Sequence, residues 1–361
     1  MTKGYTFDPV QIAQELTDFN RKIASGVDIL SHLESIDVGH TSCDEVFQDH
    51  LVKLLHYQPR AAPSSKTPLL IVFALVNRPY VLDLQPDRSF IKHLLDQGID
   101  VYLIDWGSPE RSDRYLSLDD YINGFLRRAI KHICAHHHIS AINLMGVCQG
   151  GTFSLAYSAI NPNRVNNLIT LNTPVDFHSP QNAMTHLIRH VKIDDLVESY
   201  GNIPGEMVST FFLGTNPFRT ISRKMLDFVD NLDDREATLF FLRMNKWIYD
   251  CPDQAGESFK QFAKELIQQN QLINNEWKIG KERVNLSRIE TPILNIHSTD
   301  DEIVPYGSSA TLNQLVSTTD FTQYDYEGGH TGILVSKKAQ KELPSLISKW
   351  LSERDTINPA S

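Results

Sequence analysis

The chain is poor in cysteine, in positive charge and in long apolar runs, and each shortage removes a class of function. Its four cysteines (Cys43, Cys134, Cys148 and Cys251) are widely spaced across 361 residues and form no C-x-x-C pair. A disulfide framework needs denser spacing, so free thiols in a reducing compartment are expected. Lys and Arg number 34 against 44 Asp and Glu, a formal charge of −10, and no basic cluster offsets it. That balance argues against nucleic acid as a partner. The longest clean apolar stretch, Leu69 to Val76, falls far short of the roughly 20 residues that cross a bilayer. Met1 to Asp8 lacks the apolar centre of a secretion signal. No internal repeat or low-complexity tract is visible. The expectation is a soluble cytoplasmic globular chain, long enough for one core or for a core with a sizeable insertion.

Apolar runs rich in β-branched residues alternate with helical patterns, which points to a mostly parallel sheet flanked by helices. Pro68 to Val76 is nearly all apolar, as a strand buried on both faces should be. Further strands are expected at 98–106, 141–145, 167–171, 292–296 and 322–326. A helix is expected from Leu118-Asp119-Asp120 to about His137, with Tyr121, Phe125, Ala129 and Ile133 on its apolar face. A closing helix is expected at 339–351. Between 180 and 290 the rhythm changes to helical pieces broken by Gly and Pro. The expected organisation is an N-terminal helical extension (1–50, with Ile12, Leu16, Phe19 and Ile23 on one face), a core in two parts (51–179 and 291–361), and a helical cap inserted at 180–290.

Within that frame Gly146-Val147-Cys148-Gln149-Gly150 reads G-x-C-x-G between a strand and a helix. This is the nucleophile elbow of an α/β-hydrolase fold, with cysteine in place of serine. The nucleophile sits in a strained backbone conformation, and only residues of almost no size pass it on either side. In that fold the partners follow in the order nucleophile, acid, histidine. Here Asp301 lies in the turn Thr299 to Pro305 after one strand, and His330 in the glycine-rich loop Glu327 to Gly332 after another. Asp301 is preferred to Asp300 because D-x-I-V-P is the usual form of the acid turn. The oxyanion hole needs two backbone N–H groups: Gln149, the residue after the nucleophile, and a donor from the loop Asn77 to Val81. Pro79 has no N–H, and Val81 is the expected second donor.

Other reactive-looking residues have plainer readings. Cys43, Cys134 and Cys251 lack catalytic company and default to structural roles. His136-His137-His138 resembles a metal tract, but successive helical residues point in different directions, so no metal is expected. His297 is expected to be a hydrogen-bonded structural histidine, and Arg78 and Tyr80 part of a packed loop.

Several stretches carry a more specific likeness: ALVNRPYVLDLQPDRS (74–89), DVYLIDWG (100–107), LDDYINGF (118–125), GVCQGG (146–151), TPVDF (173–177), GNIPGE (201–206), KWIYDCPDQAGESFKQF (246–262), DEIVP (301–305) and GGHTGI (328–333). Together they resemble the catalytic subunit of class III polyhydroxyalkanoate synthases, over most of the chain and including the cap. The resemblance implies that Cys148 carries the acyl group, His330 is the base and Asp301 completes the triad. It implies a 3-hydroxyacyl-CoA substrate, with 3-hydroxybutyryl-CoA expected, polymerised with release of CoA and without a cofactor. It also implies a separate second synthase subunit and a place at the surface of cytoplasmic polyester granules; a homodimer through the cap is a further expectation, not fixed by the sequence. Glu302 departs from the histidine often found after the aspartate in that family. Two other readings remain open: a cysteine-dependent ester or thioester hydrolase with the same triad, and a non-catalytic granule-associated protein.

Overall fold

The computed structural model describes residues 8–31, 35–180, 182–215 and 224–355. Its centre is an eight-stranded sheet formed by β1 (Asp44–Asp49), β2 (Val52–Tyr57), β3 (Leu69–Val72), β4 (Val101–Asp105), β5 (Ile142–Val147), β6 (Val165–Leu171), β7 (Ile293–Ser298) and β8 (Phe321–Tyr326). The spatial order is β1-β2-β4-β3-β5-β6-β7-β8. β1 and β2 pair antiparallel with each other, and β2 pairs antiparallel with β4. From β4 to β8 every pairing is parallel. Every residue of β3 and of β5 is buried, as central strands covered on both faces require.

Alternation along β3 divides the core in two. Leu70 and Val72 pack in one layer with Tyr121, Phe153 and Trp277, whereas Leu69 and Ile71 pack in the other with Phe90, Leu94 and Trp350. Each such aliphatic side chain contributes roughly 1.5–3 kcal/mol by leaving water. The expected helix after Leu118 opens as a π-helical turn, Asp120–Leu126, and continues as the α-helix Arg127–His137. Asp120 caps it. Its carboxylate accepts the Ser117 N–H at 2.8 Å, and Ser117 Oγ accepts the Asp120 N–H at 3.3 Å.

Two expectations for the first half need correction. The stretch 1–50 is not helical throughout: the helix covers Pro9–Ser31, and Asp44–Asp49 is already an edge strand. The reason is the hairpin partner Val52–Tyr57, whose alternating burial fixes both strands through a turn at His50, φ 55°. The apolar face of that helix lies outside the core. Leu16, Phe19 and Ile23 are exposed, and the helix rests on the insertion through Gly26 against Leu232 and Lys22 Nζ on the Asp230 carbonyl at 2.8 Å. The Ile12 side chain lies outside the described residues. The run 68–76 is also strand only over Leu69–Val72, and its remainder leaves the sheet.

The insertion after β6 is helical: Ala183–Ile188, Ile193–Tyr200, Gly205–Thr215, Lys224–Asp230, Arg235–Tyr249 and Gly256–Gln261, followed by the π-helical Phe262–Gln268. It ends in a small hairpin, Lys278–Ile279 with Glu282–Arg283. Trp277 and Val284 beside that hairpin are buried in the core layer that holds Phe153. No helix among the described residues is long and apolar enough to cross a membrane.

Candidate active site

Three loops at the carboxyl edge of the sheet carry the expected residues. Cys148 follows β5 at φ 53°, ψ −125°, directly before the helix Gln149–Ile160. A side chain in that region is strained, and the contacts around it hold the strain in place. A Cβ on Gly146 would lie 2.3 Å from Gly151 Cα, one on Gly150 2.1 Å from the Val72 carbonyl oxygen, and one on Gly151 1.8 Å from Thr173 Oγ1. Only hydrogen fits at all three. The Cys148 N–H donates to the Leu171 carbonyl at 2.9 Å, and the Gly151 N–H donates to the Cys148 carbonyl at 2.8 Å.

Asp301 lies in the turn after β7, fully buried. Its Oδ1 accepts the N–H groups of Ile303 at 2.9 Å and Val304 at 2.8 Å, and its Oδ2 faces His330 Nδ1 at 2.6 Å. Both carboxylate oxygens are therefore fixed. Asp300 is exposed, and its backbone N–H ties the acid turn to the histidine loop through the Gly328 carbonyl at 2.9 Å. Of the two aspartates, the structure brings Asp301 to the imidazole.

The Cys148 thiol is close enough to the His330 ring to act on its proton affinity. Burial is the largest single influence on its ring and works to lower the pKa. The Asp301 carboxylate and Cys148 together outweigh it, and the ring is held well above its ordinary value of 6.5. Such a ring accepts a proton readily and holds it beside the sulfur.

Asn172, which sequence reasoning passed over as a strand end, supports this arrangement. It is buried at φ 46°; its Nδ2 donates to Ser298 Oγ at 3.0 Å and to the His330 carbonyl at 3.2 Å, and its Oδ1 accepts the Ser298 N–H at 2.8 Å. One side chain thus joins the ends of β6 and β7 to the histidine loop. The signal available in the sequence was an asparagine between a strand and Thr-Pro, since asparagine tolerates positive φ.

Gln149 opens its helix, where a backbone N–H has no intrahelical acceptor and the helix dipole favours negative charge. Val81 does not share the site. It is fully buried in the short turn Pro79–Leu82, packed in the core layer of Phe90, and is not among the residues that face the cavity at Cys148. The wall there comes from Phe73 to Asn77, because the chain leaves the sheet after Val72 rather than after Val76.

The cavity measures about 850 Å³. Cys148 and His330 form part of its floor, and Ile188, Phe211, Trp247 and Phe262 of the insertion part of its roof. Asp300 and Glu302 reach its wall. Arg78 and Tyr80 are packed, Arg78 on the Gly107 carbonyl, Ser108 Oγ and Asp250, and Tyr80 through its hydroxyl on Asp250 at 3.0 Å.

The remaining candidates lie elsewhere. Cys43 is exposed, Cys134 is on the buried face of the helix Arg127–His137, and the Cys251 thiol donates to the Pro252 carbonyl at 3.5 Å. His137 Nε2 meets the Tyr102 hydroxyl at 2.8 Å, and His138, at φ 54°, ends its helix. Among the described residues no group of three or more His, Cys, Asp or Glu is arranged to hold a metal ion. His297 departs from expectation. It is fully buried in β7 against the Tyr306 ring at 5.2 Å, and neither ring nitrogen has a hydrogen-bond partner among the described residues. Burial lowers its pKa, so the ring stays neutral.

Comparison with known proteins fits this geometry. The pattern of the alpha/beta hydrolase fold matches residues 68–336, and that of the poly-beta-hydroxybutyrate polymerase (PhaC) N-terminus matches residues 25–94. The poly(3-hydroxyalkanoate) polymerase subunit PhaC of Allochromatium vinosum is 47% identical over 348 residues, covering 96% of this chain and 98% of that protein. The protein of the same name from Synechocystis is 44% identical, covering 94% of this chain and 92% of its own length. Among solved structures, a monoacylglycerol lipase of Paleococcus ferrophilus superposes with a TM-score of 0.53 at 16% identity, over 84% of this chain and 99% of the lipase. At that identity the likeness is one of fold alone.

Proposed function

This chain belongs to the poly(3-hydroxyalkanoate) polymerase family, acyltransferases built on the α/β-hydrolase fold, and from that membership we propose a covalent route through Cys148. The observation that carries it is a cysteine, not a serine, at the strained elbow beneath a largely apolar cavity. The Cys148 sulfur attacks the carbonyl of a 3-hydroxyacyl-CoA thioester. The carbon–sulfur bond to CoA breaks, and the proton held by His330 goes to the departing thiolate. A thioester replaces a thioester, so the acyl group stays activated, whereas a serine ester would be no more reactive than the polymer bond to be made. The hydroxyl of a second monomer or of the growing chain then attacks. His330 takes its proton, and Cys148 leaves as thiolate.

Each tetrahedral oxyanion needs two N–H donors. Gln149 supplies one. With Val81 withdrawn from the site, Val76 is the second: it lines the cavity, while the neighbouring Leu75 N–H is engaged by Gln149 Oε1. Such a donor is typically worth about 3 kcal/mol in the transition state. The insertion acts as a lid that keeps water from the acyl-enzyme. The relatives are named as subunits, which supports a second synthase subunit as partner, and an insoluble product supports a location at the granule surface in the cytoplasm.

The test follows CoA release and polymer formation together on 3-hydroxybutyryl-CoA, with and without the second subunit. Polymer matching the CoA released is expected. CoA release with free hydroxyacid and no polymer would leave a hydrolase instead.

A further inference from the structure

Three motifs remain unexplained by a hydrolase triad: Asn77 to Tyr80, Gly201 to Glu206, and Asp250 to Glu257. They meet in one place. A Cβ on Gly205 would lie 1.8 Å from the Cys251 carbonyl oxygen, and one on Gly256 2.0 Å from the Gly201 carbonyl oxygen. Ile203 and Gln254 exchange backbone hydrogen bonds at 2.9 and 2.8 Å, and the Gly205 N–H donates to Asp253 Oδ1 at 2.9 Å. The two cap motifs are thus a single packed block that tolerates only glycine at its contacts.

That block grips the loop beside the nucleophile. Gln254 Nε2 donates to the Leu75 carbonyl at 2.9 Å, while the Leu75 N–H donates to Gln149 Oε1 at 2.9 Å. Asn77, at φ 61°, donates its Nδ2 to the Trp247 and Ile248 carbonyls at 2.9 and 3.3 Å. Trp247 Nε1 donates to the Arg78 carbonyl at 2.7 Å. Leu75 is therefore held through both of its backbone polar groups and Asn77 through its side chain, with Val76 between them. Gln149 and Gln254 are both buried, so neither bond competes with water.

We propose that the cap segment 247–254 is a positioning device for the oxyanion hole, in which Gln254 and Asn77 fix the backbone that presents the Val76 N–H to the substrate. The inference rests on the reading that Cys148 is acylated by a thioester. Its consequence is that cap and reactive centre act as one unit: a cap displaced from the core takes the second donor with it, and the thiol is left without transition-state support.

The experiment compares Gln254→Met, near in shape but without the amide, with Asn77→Gly, which keeps positive φ cheap while removing the side-chain bonds. Three quantities are read. Single-turnover acylation of Cys148 by 3-hydroxybutyryl-CoA at saturation should slow by about tenfold to a hundredfold, the range for a displaced rather than deleted donor. Alkylation of Cys148 by iodoacetamide, which forms no oxyanion, should change by less than about twofold. Amide exchange over 73–80 should quicken by about tenfold, the sign of a released clamp. Parallel loss of acylation and alkylation would assign these residues a merely structural role and overturn the proposal, as would acylation at the normal rate. If the unaltered protein is not acylated at all, the covalent route falls, and unchanged exchange over 73–80 would separately overturn the clamp.

Discussion

The floor and the roof of the cavity are made by opposite means. The floor is polar and tight: Asp301 is fixed by two backbone N–H groups and His330, and the elbow closes on glycine contacts that leave no room for a methyl group. The roof is apolar and assembled from short helices, with Phe262 set edge-on to Phe153 and Phe177 at 6.2 and 5.7 Å between ring centroids. The floor holds atoms to a fraction of an ångström because bond making demands it. The roof covers the cavity, and its segment 247–254 also reaches down to the loop beside Cys148. Floor and roof thus lie in different parts of the chain, joined at the loop 73–80.

The sharpest way to break the floor alone is Gly150→Ala. The added methyl group would sit against the Val72 carbonyl, so the elbow must shift. Overpacking of this kind costs about 1–3 kcal/mol, read by thermal denaturation, and Cys148 acylation should fall by more than about a hundredfold. A variant of normal stability and rate would show that the elbow is slack.

The next test uses the proton. His330 must be neutral to take the proton of the attacking hydroxyl, and its pKa is raised in the folded protein, against the pull of burial, by Asp301 and Cys148. In the acyl-enzyme Cys148 carries no charge, so Asp301 opposes burial without it, and the elongation rate should climb with pH as the ring gives up its proton. Asp301→Asn removes the charge that raises the ring, so the midpoint of that climb should move down while the rate falls by about 10²–10⁴. An unmoved midpoint would detach Asp301 from the ring.

The roof should yield the smallest change. Phe262→Ala opens the aromatic contact over the cavity, and the ratio of free hydroxyacid to polymer should rise about threefold as water reaches the acyl-enzyme. An unchanged ratio would remove Phe262 from the barrier.

How much of this was legible in the sequence follows the same division. The elbow, the acid turn and the histidine loop are short stretches whose residues specify their own backbone, so Cys148, Asp301 and His330 could be placed without knowing what surrounds them. Val81 was misplaced because an apolar run does not reveal where a strand ends. Phe73 to Val76 are as apolar as β3 but line a cavity instead of a sheet, and Asn77 at positive φ was the one local sign of the turn. The hairpin Asp44–Tyr57 was hidden among helical-looking residues, since its turn uses His50 rather than the usual Asn-Gly. Asn172 and Gln254 reach the site through partners far away in the chain, His330 and Leu75, which no local pattern encodes. His297, expected to be bonded, shows the converse: burial in a strand was readable, its surroundings were not.

The central claim is that the acyl group rides on the sulfur of Cys148. Rapid quenching of the protein with one equivalent of 3-hydroxybutyryl-CoA, followed by mass measurement of the intact chain and of its Cys148 peptide, tests it directly. The account predicts one hydroxybutyryl adduct on that peptide, formed as CoA is released and discharged when more substrate is added. Release of CoA with the Cys148 peptide unmodified at every time point would contradict it.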